Sequence, residues 1–284
     1  MTAAPVPLVS PRGTMARSIG RVIDRWSMIV YTLLAVIYLL LPVAVVILFS
    51  FNSPTGKTNF IWKGFTLDYW FNPFGPDGLA SAVILSITIA ILSTAIATML
   101  GTLMAISLER YQYRGKSFTN ALIFIPMATP EIIMGASLLT MFVSIGSPPF
   151  FPLNFVTILI AHIMFNISYV VVTVRARLAG FPRHLEEAAM DLYANDWQTF
   201  WRVTFPLILP GIIAAALLAF SLSIDDFVVT NFTSGMAVTF PMYIYGAARI
   251  GIPVQVNVIG TCIFLIAVGS VAITTVAGRR RQTR

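Results

Sequence analysis

The chain has 284 residues, of which 57% are hydrophobic and only 10% charged, with a mean hydropathy of +0.85 and a formal net charge of +7. A soluble domain carries about 25% charged residues, so a water-covered globule of this composition would expose large apolar patches, and that class is excluded. The positive residues fall in short clusters between apolar stretches, which is a membrane-topology pattern and sets nucleic acid aside as a partner.

Residues 1–26 read as a Pro-rich, basic cytoplasmic arm rather than a signal peptide, because the apolar run that follows is long enough to span. A crossing needs about 20 apolar residues to cover about 30 Å of hydrocarbon. Six stretches qualify, at roughly 27–51, 81–108, 119–145, 153–175, 207–229 and 255–277. They form an all-α membrane domain over 27–277, with a polar loop at 176–206 and a basic tail at 278–284. The segment 239–250, TFPMYIYGAARI, is too short to cross and reads as a re-entrant or interfacial piece. Cys262 is a lone thiol in an apolar run and reads as a small interior residue.

Charge orients the helices. The N-terminal arm, the second loop, the fourth loop and the tail hold fifteen of the eighteen lysines and arginines. Only Lys57, Lys63 and Arg249 fall on the other face. Both termini are therefore expected inside the cell. The first outer loop, about 52–80, carries Trp62, Phe65, Tyr69 and Trp70. These read as lipid-interface anchors or as a surface touching an external binding protein.

The polar loop carries two short helices. The first runs from about Pro182 to Leu192, with Glu186 and Glu187 early, where the helix dipole favours acids. Ala188 and Ala189 are small and let another surface approach closely. The second starts near Asn195, with Gln198 three residues on, a capping-box pattern. Trp197, Phe200 and Trp201 then share one face. Pro206 and Pro210 are expected to end the segment and admit the chain to the next span. The plain alternative is an amphipathic loop lying on the bilayer.

Three of the eleven acids fall within or at the end of spans: Glu131, Asp225 and Asp226. A charge at the bilayer centre costs about 2.5–3.5 kcal/mol on insertion scales, so such residues face the interior or a water-filled path. Glu131 follows Pro126 and Pro130, whose rings break the helix ladder and expose carbonyls. No lysine or arginine is expected within a span to neutralise the three. Unpaired anions along a pore suit a cationic solute. A helix cap, a protonated hydrogen-bond donor or a pair with a partner subunit are the structural alternatives. His162 is expected to pair with Asn166 one turn on. Met127, Met134, Met141 and Met164 read as packing between helices. No Walker A loop, CxxC or HExxH motif is present. No cofactor is expected in this chain, and no catalysis.

Glu187-Ala188-Ala189, followed by Val203-Thr204-Phe205-Pro206, resembles the EAA loop of binding-protein-dependent ABC importer permeases. The segments PMATPEIIMGASLL, SLSIDDFVVTNF and TFPMYIYG resemble spermidine/putrescine permeases of the PotC/PotI type. With the WKGFTLDYW loop, this resemblance covers most of residues 40–250. It implies a type I importer permease fold of six spans, N-in and C-in, in the bacterial cell membrane. It implies a second homologous permease, two ATPase subunits that bind ATP and Mg, an extracytoplasmic solute-binding protein, and membrane lipid around them. Glu186, Glu187, Ala188, Ala189, Asp191, Tyr193 and Pro206 would form the ATPase coupling segment. Glu131, Asp225 and Asp226 would lie on a polyamine path. Tyr193 departs from the family, where glycine is usual at the turn between the two helices. A permease for another small solute and an ion-coupled secondary transporter are the competing readings. An intramembrane serine protease is disfavoured, because His162 has no GxSx motif beside it.

Overall fold

The computed structural model describes the backbone of residues 11–56, 58–180 and 182–282, and side chains within 26–269. Twelve α-helices and one π-helical segment account for about three quarters of it, and the described residues contain no β-strand beyond one isolated bridge, Asn52 to Phe65. The chain divides into two compact units, residues 1–73 with 251–284, and residues 74–250.

In the first unit, α1 (Pro11–Phe49) packs on α12 (Val254–Gln282), and the short α2 (Asp68–Phe71) also meets α12. Helix α1 starts well before the expected span at 27, so much of the arm expected at 1–26 is helical and the rest lies outside the described residues. Its apolar side chains from Trp26 to Leu48 are mostly exposed, as a lipid-facing helix requires. The loop after α1 is held by two buried amides. Asn52 Nδ2 donates to Asn59 Oδ1 at 2.6 Å and to the Ile61 carbonyl at 2.8 Å, and Asn59 Nδ2 donates to the Phe49 carbonyl at 2.8 Å. Phe51 stacks between Phe65 and Trp70, at 5.5 and 5.1 Å. These aromatics therefore hold the loop together as well as facing outward.

In the second unit, α3 (Leu79–Arg110), α6 (Phe155–Ala179) and α9 (Phe205–Asp225) form the core. The face of α3 turned to its neighbours is Ala90, Ser93, Ala97, Gly101 and Ala105, a stripe of small residues at helical spacing. Small residues let two backbones approach, which is the main source of helix association where lipid is as apolar as leucine. Val170, Val171 and Val174 of α6 and Ile208, Ala215 and Ala219 of α9 fill the space opposite.

The expected span 119–145 is two helices, α4 (Lys116–Ala128) and α5 (Glu131–Ile145), bent by 109°. Pro130 forces Thr129 out of the helical region, and Thr129 sits at φ −79°, ψ 129°. The expected span 207–229 also breaks. Helix α9 stops at Asp225, Asp226 is extended at φ −63°, ψ 123°, and α10 (Val228–Thr233) follows. The short α11 (Phe240–Ile250) packs on α3 and α9, with the Phe240 N–H donating to Ser86 Oγ at 2.8 Å. At about 1.5 Å per residue it cannot cross a bilayer, in keeping with the expectation for 239–250.

Pro206 and Pro210 do not end a segment as expected. The polar loop's second helix, α8 (Asp196–Thr199), runs through a π segment, Phe200–Thr204, directly into α9. The Phe205 N–H donates to the Phe200 carbonyl, one residue further back than in an α-helix. That wider turn gives the Pro206 ring room against the preceding carbonyls, so the rod continues. Among the described residues four helices are long and apolar enough to cross a membrane, and the bent α4–α5 pair would make a fifth.

Candidate functional site

Both breaks lie on one cavity. It has a volume of about 580 Å³ and is lined by Pro126–Glu131, Met134, Phe165, Tyr169, Leu222 and Asp225–Val229. Glu131, Asp225 and Asp226, far apart in sequence, thus meet at one place, and no lysine or arginine is among the lining residues. Met127 and Met134, expected as packing, also face it. Met134 does both, since it also packs on Leu138, Phe142, Ala161 and Val229.

Four helix ends converge here. Helices α5 and α10 present their N-terminal ends and α4 and α9 their C-terminal ends, which carry partial negative charge. Each N-terminal end is met by an acid of its own. Glu131 opens α5. Asp226 caps α10: Oδ1 accepts the Val229 N–H at 3.3 Å, and Oδ2 accepts the Thr230 N–H at 2.8 Å and Thr230 Oγ1 at 2.6 Å. Asp225 caps nothing and is exposed to the cavity. Only Asp226 is committed to a cap, so Asp225 and Glu131 leave two uncommitted carboxylates on a cavity that also receives two helix C-termini, an environment for a cation.

Asp226 also has a neighbour that spacing did not reveal. His162 Nε2 lies 3.5 Å from Asp226 Oδ2 and 2.9 Å from Thr230 Oγ1, and Nδ1 lies 2.6 Å from Ser223 Oγ. Ser223 Oγ is in turn 3.0 Å from Ser93 Oγ. The expected pair of His162 with Asn166 does not form. Asn166 is fully buried, and its amide has no hydrogen-bond partner among the described residues. Ser223 of α9, and Thr230 brought in by the break at 226, reach the imidazole instead. This polar chain ties α3, α9, α6 and α10 together beside the cavity. A helix cap was among the structural alternatives for Asp226, but Thr230 carried no signal as its partner. Ser93 and Ser223 left none.

The polar loop at 176–206 folds into α7 (His184–Asp191) and α8 as expected, with α7 shorter than read. The capping box is present, with Asn195 Oδ1 accepting the Gln198 N–H at 2.9 Å and Gln198 Oε1 accepting the Asn195 N–H at 3.2 Å. Trp201 contacts Trp197, Phe200 and Phe205 at 5.6, 5.3 and 4.9 Å, so the aromatic face is continuous. Glu187, Ala188, Asp191 and Pro206 are exposed, and Ala189 is half-buried. Glu186 is turned inward, 3.0 Å from Arg110 and accepting Thr204 Oγ1 at 2.8 Å.

Helix α7 ends in a Schellman turn. The Ala194 N–H donates to the Ala189 carbonyl at 3.1 Å, and the Tyr193 N–H to the Met190 carbonyl at 2.9 Å. Tyr193 takes the left-handed position, φ 64°, and is the only non-glycine with positive φ among the described residues. Glycine would fit without strain, whereas an L side chain costs about 1 kcal/mol there. Tyr193 is 98% exposed, so its ring gains no packing in exchange. Tyr193→Gly is therefore expected to stabilise the isolated chain by about 1 kcal/mol, read as a higher melting temperature in detergent. A fall in melting temperature would show that the ring contributes packing.

Residues 97–281 match the family described as binding-protein-dependent transport system inner membrane component. The chain is 35% identical over 246 residues to the spermidine/putrescine transport system permease protein PotC of Haemophilus influenzae, covering 86% of this chain and 93% of that one. It is 38% identical over 247 residues to the putrescine transport system permease protein PotI of Escherichia coli K12, covering 86% and 87%. Among solved structures it resembles a bacterial ABC transporter involved in the import of the acidic polysaccharide alginate, with TM-score 0.66 at 17% identity over 94% of this chain and 99% of that one. The chain belongs to the family of binding-protein-dependent transport system inner membrane components.

Proposed function

We propose that this chain is the membrane-spanning permease subunit of an ATP-driven ABC importer that moves polyamines into the cell by alternating access. It would pair with a second homologous permease, with two ATPase subunits inside and a solute-binding protein outside. ATP and Mg belong to the ATPases. The permease domain covers 27–277 with six spans, both termini inside, and α7–α8 as the ATPase contact.

One observation carries the cationic solute: the three carboxylates on a single cavity at two broken helices, with no basic residue in its lining. Broken backbone at membrane depth is tolerated where it lines such a space. Both relatives named above are polyamine permeases by description, which supports the same class. An acidic lining is unsuited to an acidic polysaccharide, so the likeness to the alginate transporter extends to fold and not to solute. The test is charge-selective competition. Radiolabelled spermidine uptake by the reconstituted complex should be competed by putrescine and not by fully acetylated spermidine. Equal competition by the neutral analogue would remove the electrostatic basis.

Glu187 is exposed beside the small Ala188, so it is free to meet a partner. Glu187→Lys is expected to lower ATPase association and uptake by about tenfold or more, as reversing one member of an interfacial charge pair does. Membrane insertion should be unchanged. Normal co-purification of the ATPase with normal uptake would exclude Glu187 from that contact.

A further inference from the structure

We propose that Glu186 is an internal strut, separate from the docking face, that carries motion of the coupling helix to α3 and α9 together. The proposal rests on the importer reading above. Glu186 and Glu187 are adjacent in sequence but differ in environment. Glu187 is exposed, whereas the Glu186 side chain is 17% exposed and already engaged. Its Oε1 lies 3.0 Å from the Arg110 guanidinium, in the last turn of α3, and accepts Thr204 Oγ1 at 2.8 Å, at the end of the π segment that opens into α9. One carboxylate oxygen thus joins three elements.

The neighbouring contacts reinforce the junction. Arg183, just before α7, donates to the Glu109 and Arg110 carbonyls at 3.1 and 3.3 Å, at the end of α3 where the last carbonyls have no partner further along the helix. Glu109 lies 3.6 Å from Arg175 of α6. Helix α7 otherwise packs chiefly on α8 and the π segment. The side chains of Glu186 and Arg183 bond it to the end of α3.

The far end of α9 lines the cavity, and the middle of α3 lies beside that end. Helix α9 has 21 residues, about 30 Å of rod at 1.5 Å per residue, and ends at Asp225. Helix α3 meets the same end of α9 through Ser93 and Ser223. A displacement of α7 that pulls on Glu186 moves α9 and α3 as one body, and the mouth of the cavity with them. If Glu186 were lost, α7 could follow the ATPase without drawing both helices.

The experiment uses the whole complex in proteoliposomes. Glu186→Ala is expected to lower spermidine uptake about tenfold, the loss of one charge-assisted contact in a coupled equilibrium. The ATPase should still co-purify in wild-type ratio, and ATP hydrolysed per spermidine imported should rise several-fold. The paired exchange Arg110→Glu with Glu186→Arg should recover uptake that each single exchange loses. Thr204→Val should give a smaller defect of the same kind. Loss of ATPase co-purification in Glu186→Ala would place the residue in the docking face and overturn the proposal. So would wild-type uptake and hydrolysis ratio, or failure of the paired exchange to recover uptake. Failure of the importer reading is distinguishable, because the wild-type complex would then show no ATP-driven uptake at all.

Discussion

Gly101→Val is expected to remove the folded subunit from the membrane. A Cβ built at Gly101 would lie 2.7 Å from Val170 Cγ1, 2.8 Å from Val170 Cβ and 3.3 Å from the Ile167 carbonyl oxygen. Val170 is a β-branched residue on a helix, nearly fixed in rotamer, and it is fully buried. The carbonyl is backbone, so neither neighbour can turn aside. Relief requires α3 and α6 to separate along the stripe from Ala90 to Ala105, where each small residue depends on the same spacing. Overpacking of this kind costs about 3 kcal/mol, a large part of a marginal stability. The measurement is the yield of monodisperse subunit in detergent and its melting temperature. Gly246→Val is the matched control, since a Cβ there meets nothing within 4 Å. Equal yields for the two variants would show that α3 and α6 are not held together at Gly101.

Asp225→Asn and Asp226→Asn are expected to fail in different ways. Asp225 is exposed to the cavity and caps no helix, so its loss removes charge and leaves packing intact. At an effective dielectric near 20, one charge pair at 4 Å is worth about 4 kcal/mol before desolvation is subtracted. Even a third of that raises the half-saturating spermidine concentration about tenfold. The effect should be smaller for putrescine, which carries less charge. Asp226 has both oxygens committed, to two backbone N–H groups and the Thr230 hydroxyl, with His162 3.5 Å away. An asparagine turns an amide N–H₂ toward one of those donors. A buried donor left without an acceptor costs about 1–3 kcal/mol. Asp226→Asn should therefore lower the melting temperature and loosen α10, and Asp225→Asn should not. The two are separated by thermal unfolding beside uptake kinetics. A stability loss in Asp225→Asn, with none in Asp226→Asn, would reverse these roles.

The sequence carried the helices better than their breaks. Composition and apolar length located α3, α6 and the start of α9 within a few residues, because burying a backbone in lipid leaves few alternatives to a helix. The three acids were legible for the same reason: a carboxylate among apolar residues is costly and needs a cause. That they share one cavity was not legible, because it depends on the 109° turn at Pro130 and the extended Asp226. Pro130 was visible as a breaker, yet Pro206 and Pro210 carried the same signal and broke nothing. At Pro206 the difference is the π segment, whose wider turn no local pattern announced; Pro210 is simply carried within α9. The partners of His162 were missed because they come from α9 and α10, some 60 residues away in the chain. Asn166, one turn along, was the local choice and the wrong one.

The direct test of the account is energised uptake. The chain is reconstituted with its partner permease, ATPases and binding protein, and radiolabelled spermidine uptake is measured with ATP alone and then with an imposed proton or sodium gradient alone. The account predicts uptake with ATP that stops with a non-hydrolysable analogue and is absent with either gradient. Uptake driven by a gradient without ATP would contradict it, and the carboxylates of the cavity would then be ion-coupling sites.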